Sequence, residues 1–104
     1  MNGLKLLEAT ANDFASEYSR LARENKDFAM YLFGRGVRGE ITGETLKQLD
    51  KDMFDAQGVL TPKAKEVLST KKIPNLKNIT LERFTDILGR KITGIAMRRY
   101  LGLE

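Results

Sequence analysis

The 104-residue chain has room for one domain with a single core, and its 41% of hydrophobic residues is close to the globular average. It contains neither cysteine nor histidine, which excludes disulfides and thiolate chemistry and removes the commonest general base and zinc ligand. The net charge of +4 is unevenly placed, since residues 1–60 carry 8 Lys/Arg and 10 Asp/Glu whereas residues 61–104 carry 10 and 4. We therefore expect a domain without catalytic, metal or cofactor chemistry and with a basic C-terminal half.

Apolar residues recur every three or four positions from residue 4 to residue 33, which predicts amphipathic helix. The members of this N-terminal stripe are Leu4, Leu7, Ala11, Phe14, Tyr18, Leu21, Phe28 and Leu32. Neither glycine nor proline interrupts residues 4–33. One helix of about 45 Å, at 1.5 Å per residue, and two helices that break near Asn25–Asp27 are both consistent with the pattern.

The N-terminal stripe has two alternative uses. Heptad-spaced Ala15, Ala22 and Ala29 lie beside it and would let another helix approach closely, as in a coiled-coil or bundle seam. A homodimer or a protein partner would then bind through Leu4, Leu7, Phe14, Tyr18 and Leu21. Alternatively, the stripe packs on its own domain, because the short helices predicted downstream cannot stand alone in water.

Three glycines, Gly34, Gly36 and Gly39, predict a tight turn after this element, since glycine permits positive φ and sharp reversals. Arg35 and Arg38 within the turn are candidate contacts to a phosphate backbone, although no phosphate-loop pattern is present. Strand patterns are sparse, and residues 37–41 are the only stretch where we allow a hairpin.

Two helices are predicted between residues 42 and 70. Thr42 can cap the first, which we expect to end at Gly58. Its apolar face holds Leu46, Leu49, Met53 and Phe54. Thr61-Pro62 predicts the start of the second helix, because the hydroxyl can cap and proline suits the first helical position.

The last third is predicted as two further helices after a proline-containing linker at residues 71–75. Thr80 can cap the first, which we expect to end at Gly89, and Thr93 can cap the second.

These elements predict an all-α fold, a small bundle of about five helices in a single domain over residues 1–104. Residues 1–33 would form the long amphipathic helix or helix pair, and the shorter helices of residues 42–104 would pack on it.

Residues 80–101 resemble a helix-turn-helix in outline, since two adjoining helices meet at Gly89 and basic residues surround the second helix. A stretch at residues 45–68 has the same outline with its turn at Gly58, and Lys63 and Lys65 would be its exposed basic residues.

The function that we predict is a small, regulatory DNA-binding protein, because a basic half-molecule attracts phosphates and releases their counterions. Guanidinium groups suit both phosphate and guanine contacts, and the cap at Thr93 would direct helix amides at a phosphate. The candidate DNA contacts are Lys71, Lys72, Arg90, Lys91, Thr93, Arg98 and Arg99.

The alternative is a non-catalytic protein-interaction module, a small regulator or inhibitor that docks through the N-terminal stripe together with Met30, Tyr31 and Phe33. An enzyme is not expected, because the carboxylates lie among lysines and the serines lack a histidine. No apolar run reaches the roughly 20 residues of a membrane-spanning helix, and the N-terminus lacks the signal-peptide pattern. We therefore expect a cytoplasmic protein.

Overall fold

The computed structural model describes residues 4–70 and 78–91 of the protein. Over these residues the fold is all-α, and the predicted bundle of about five helices is confirmed. The five helices are α1 (Ala11–Glu24), α2 (Lys26–Gly34), α3 (Gly43–Leu49), α4 (Pro62–Thr70) and α5 (Leu81–Lys91). The linker at residues 71–75 and the helix predicted after Thr93 lie outside the described residues. None of the helices described is long and apolar enough to cross a membrane.

Helix α1 begins at a capping box. Thr10 Oγ1 accepts a hydrogen bond from the Asp13 N–H at 3.4 Å, and Asp13 Oδ2 accepts one from the Thr10 N–H at 2.9 Å. This reciprocal pair satisfies amides that have no partner inside the helix. The N-terminal helix therefore starts at Ala11. The apolar stripe alone had predicted a start at Leu4.

Residues 4–10 pair with the segment that leads into α5. The Leu6 N–H donates to the Ile79 carbonyl and the Leu81 N–H donates to the Leu4 carbonyl, both at 2.9 Å. A 3-10 turn at Leu6–Glu8 lies between these bonds and the start of α1. The prediction of α-helix over this stretch was wrong, because Leu4 and Leu6 pair with backbone more than 70 residues away and Leu6–Glu8 forms only a 3-10 turn.

The stripe forms two helices, which break at Asn25. This residue has an extended backbone, with φ −134° and ψ 108°. Its N–H donates to the Leu21 carbonyl at 2.7 Å and closes α1. Its side-chain Oδ1 accepts from the Phe28 N–H at 3.1 Å and caps α2. Of the two alternatives, the structure has the helix pair.

The core gathers on α1, which packs against α2, α3 and α5. Aromatic rings meet edge to face along it, with centroid distances of 5.3 Å for Phe14–Phe54, 5.8 Å for Phe14–Tyr18 and 5.2 Å for Tyr18–Phe28. Phe14, Tyr18 and Leu21 are buried in this core, Leu7 is half-buried and Leu4 is exposed. Three of the five residues predicted to bind a partner are therefore enclosed by the chain's own fold.

The helix predicted between Thr42 and Gly58 is only half as long as expected. Thr42 Oγ1 does cap α3 by accepting from the Thr45 N–H at 3.1 Å, but α3 ends at Leu49. Met53 and Phe54 reach the core from the turn that follows. The first helix of the alternative helix-turn-helix at residues 45–68 consequently ends well before the turn at Gly58.

The hairpin allowed at residues 37–41 is absent, since neither a strand nor a bridge occurs there. Backbone pairing occurs instead at residues 54–60, where Phe54 and Leu60 form an antiparallel bridge. Gly58 closes this turn with a φ of +83°, a conformation that favours glycine.

The remaining two caps are confirmed. Thr61 Oγ1 accepts from the Ala64 N–H at 3.1 Å and Pro62 is the first residue of α4. Thr80 Oγ1 accepts from the Arg83 N–H at 3.2 Å at the start of α5.

Candidate nucleic-acid interface

Helix α5 continues through the position where the sequence predicted a turn. It spans Leu81–Lys91, so Gly89 lies within the helix and has no positive φ. The turn predicted at Gly89 is therefore wrong, and the second helix of the predicted helix-turn-helix lies outside the described residues.

Gly89 serves close packing between α5 and the end of α1. A Cβ atom at this position would lie 2.7 Å from Leu21 Cδ1 and 3.3 Å from Asn25 Nδ2. Asn25 Nδ2 donates to the Gly89 carbonyl at 2.6 Å. The side chain of Asn25 thus caps α2 and holds α5 at once, which fixes the orientation of the basic helix.

We expect Asn25→Ala to lower the free energy of unfolding by about 2 kcal/mol, because it removes a helix cap and an interhelical hydrogen bond, each worth about 1 kcal/mol. Asn25→Asp keeps the acceptor for the Phe28 N–H and loses the donor to Gly89, so about half of that loss is expected. Urea unfolding of the two variants checks this. No loss in Asn25→Asp would show that the bond to Gly89 carries no stability, and equal losses in the two variants would show that the cap on α2 carries none.

The outer face of α5 carries two arginines. Arg83 and Arg90 are exposed and lie seven residues apart, which is two turns or about 10 Å along the axis at 1.5 Å per residue. Neither forms an ion pair within the described residues. The opposite face packs in the core through Leu81, Phe84 and Leu88.

Arg83 was missed among the predicted contacts. The seven-residue spacing between Arg83 and Arg90 could have indicated it, because residues seven apart share a face of a helix whose other face is apolar. The prediction of a turn at Gly89 concealed this spacing.

Helix α4 also carries exposed basic residues. Lys63 and Lys65 are exposed and form no ion pair within the described residues. The ion-paired cations of the described chain, Arg20, Arg35 and Lys47, all belong to residues 1–60. In the described part of residues 61–104, five basic residues stand against Glu66, Glu82 and Asp86, a net charge of +2.

Arg35, predicted as a phosphate contact, is engaged inside the protein. Its Nη2 donates to Asp50 Oδ1 at 2.8 Å and to the Leu49 carbonyl at 3.3 Å. Burial lowers the pKa of Arg35, but the hydrogen bond and charge of Asp50 outweigh it and leave the pKa raised. Burial, followed by the negative charge of Asp50, raises the pKa of neighbouring Tyr18 well above its ordinary value. This polar cluster belongs to the core and not to a phosphate site.

Arg20 is likewise held by carboxylates. It pairs with Glu17 at 2.9 Å and with Glu24 and Asp86 at 3.0 Å. The bond to Asp86 joins α1 to α5, so this arginine supports the orientation of α5.

A cavity of about 70 Å³ lies where the starts of α1 and α3 meet the turn at Gly58. Its lining includes Asn12, Gly43 and Lys47. It is several-fold smaller than the roughly 300 Å³ at which small-molecule pockets begin. Over residues 4–70 and 78–91, no group of three or more acidic side chains is placed to hold a metal ion.

Of the predicted DNA contacts, the structure describes Arg90, which is exposed, and the backbone of Lys91 at the end of α5. The others lie outside the described residues, and these are Lys71, Lys72, Thr93, Arg98 and Arg99. Comparison of the chain with protein-family models, curated proteins and solved structures finds no match in any of the three.

Proposed function

We propose that the protein binds the phosphate backbone of DNA. Helix α5 and the basic segments on either side of it would form the contact surface. The observation that carries the proposal is the pair Arg83 and Arg90, exposed on one face of α5 and without a carboxylate partner among the described residues. Lys91, the last residue of α5, is a further candidate contact, and those on either side of the helix are Lys71, Lys72, Thr93, Arg98 and Arg99.

The spacing of the two arginines suits phosphates. They are about 10 Å apart along a rigid helix, whereas a DNA strand carries one charge per roughly 3.4 Å of axis, so each arginine reaches a different phosphate. Phosphate contacts position a protein and carry no sequence information by themselves. With α5 unbroken at Gly89, we propose binding in which backbone contacts dominate.

The core supports this choice over docking through the N-terminal stripe. Phe14, Tyr18 and Leu21 are enclosed by the fold, so a partner could reach them only if the bundle opened. The basic face of α5 needs no such rearrangement.

The test compares Arg83→Ala/Arg90→Ala with wild type in a salt titration of binding to a labelled duplex of random sequence. The plot of log K against log salt is expected to become shallower by about 2, because each lost phosphate contact removes about 0.9 from its slope. The matched control is Arg23→Ala/Lys51→Ala, which removes the same charge from exposed positions in residues 1–60. Its slope is expected to stay close to that of wild type.

Two results contradict the proposal. Absence of binding by wild type at low salt removes it entirely. An equal loss in the control pair shows that net charge alone, and not the face of α5, governs the attraction.

A further inference from the structure

Helix α2 presents an apolar patch to solvent on the face away from the core. Met30 and Phe33 are 61% and 53% exposed, more than any other large hydrophobic residue described. They are three residues apart and therefore neighbours on the helix surface. The other side of α2 packs in the core through Phe28 and Leu32.

Positive charges bracket this patch. Lys26 is exposed, and at 100° per residue it lies within about 40° of Met30 and about 20° of Phe33 around the helix. The guanidinium of Arg38 lies over the Phe33 ring, 4.5 Å from its centroid. Within the described residues neither cation forms an ion pair. We call these four residues, Lys26, Met30, Phe33 and Arg38, the α2 surface.

We propose that the α2 surface docks an acidic amphipathic helix of a partner protein. From Lys26 to Phe33, over whose ring Arg38 lies, the helix advances about 10 Å at 1.5 Å per residue, and a partner helix with carboxylates at positions i and i+7 has the same advance. Apolar side chains at i+3 and i+4 of that helix would cover Met30 and Phe33. This inference concerns a surface separate from α5 and stands independently of DNA binding.

The chemistry of each residue fits that occupant. Arg38 lies over the Phe33 ring, and the planar fork of a guanidinium can receive a carboxylate by two hydrogen bonds. Met30 is flexible and polarizable and adapts to the apolar side chain that covers it. Asp27 is the one exposed carboxylate on α2. It lies about 60° around the helix from Met30 and about 120° from Phe33, so it borders the surface on the Met30 side.

Charge argues against the other occupants. A second copy would bring a surface with the same two cations, and two apolar side chains are far short of the roughly 800 Å² that each partner of a stable dimer buries. The chain's own residues 92–104 carry Arg98 and Arg99 against one glutamate, so they too share the sign of the α2 surface.

The probes are two labelled synthetic helical peptides with leucine at i+3 and i+4, one with glutamate and one with lysine at i and i+7. Wild type is expected to bind the glutamate peptide and to discriminate against the lysine peptide. Met30→Ser/Phe33→Ser should bind the glutamate peptide at least about tenfold more weakly, the effect of losing a central apolar anchor. The control Val59→Ser changes a residue that is 42% exposed elsewhere and should bind as wild type does.

A charge reversal makes the test specific. Lys26→Glu/Arg38→Glu is expected to transfer the preference from the glutamate peptide to the lysine peptide, which a nonspecific apolar patch would not do. Equal binding of both peptides by wild type overturns the proposal, and so does failure to bind either. Concentration-dependent dimerisation in sedimentation that is lost in Met30→Ser/Phe33→Ser also overturns it, because a second copy would then occupy the surface. Unchanged unfolding midpoints show that each variant is folded.

Discussion

Replacing Asp50 with alanine is expected to lower the free energy of unfolding by about 3–5 kcal/mol, because it leaves the positive charge of Arg35 buried without a partner. The side chains of Asp50 and Arg35 are only 3% and 14% exposed, and their ion pair measures 2.8 Å. Arg35 also donates to Tyr31 Oη and to the Leu49 carbonyl, both at 3.3 Å. These bonds hold the guanidinium inside after the carboxylate is lost. A domain of this size has only about 5–15 kcal/mol of stability in total.

Urea unfolding followed by circular dichroism measures this loss. The matched control is Asp52→Ala, which removes an exposed carboxylate two residues away and should change stability by no more than about 0.5 kcal/mol. The double variant Arg35→Met/Asp50→Leu removes both charges and is expected to recover most of the loss. If Asp50→Ala is no worse than Asp52→Ala, the pair does not support the fold as described.

Phe14→Ala is expected to cost about 3–5 kcal/mol of stability, the usual range for an aromatic residue removed from a core. Phe14 is fully buried, and its ring meets those of Tyr18 and Phe54 edge to face. The cavity left behind would lie at the centre of the contacts that α1 makes with the rest of the bundle.

This variant also separates the two uses predicted for the N-terminal stripe. If Phe14 belongs to the core, unfolding shifts strongly and the mass in solution is unchanged. If it were part of a seam between chains, Phe14→Ala would instead change the mass in sedimentation and leave the stability of the monomer nearly intact. Leu4→Ala, at a position 39% exposed, is the control from the same stripe and should have a small effect on stability.

Helix starts were predictable because a cap is a local interaction. Thr42, Thr61 and Thr80 each accept a hydrogen bond from an N–H three residues ahead, and a short stretch of sequence contains both partners. The break at Asn25 could be placed as one of two alternatives for the same reason. The capping box at Thr10 is equally local, and the continuous apolar stripe masked it.

Helix ends and glycine roles were less predictable. Gly58 and Gly89 both follow an apolar helical pattern, yet the first lies in a turn with positive φ and the second lies within α5 against Leu21. The end of α3 at Leu49 coincides with the pairing of Asp50 to Arg35. Thr61-Pro62 after Gly58 predicts a break in the helix there, whereas nothing next to Gly89 or to Leu49 in the sequence specifies these outcomes.

The residues of the candidate interface were likewise predictable from the sequence only in part. The sequence identified Arg90 and the charge of the C-terminal half, but it treated Arg35 and Arg38 alike as phosphate contacts. Folding buries Arg35 against Asp50 and places Arg38 over an exposed ring. It also brings Arg83 into line with Arg90 by continuing α5 through Gly89.

By itself, the sequence determined the all-α class, the starts of α3, α4 and α5 and the asymmetry of charge. These properties depend on composition and on contacts within about one helical turn. Only the tertiary structure decided which arginines are available and which glycine is a turn, because the deciding contacts join distant residues. Arg35 meets Asp50 across 15 residues, Asn25 meets Gly89 across 64, and Arg20 meets Asp86 across 66.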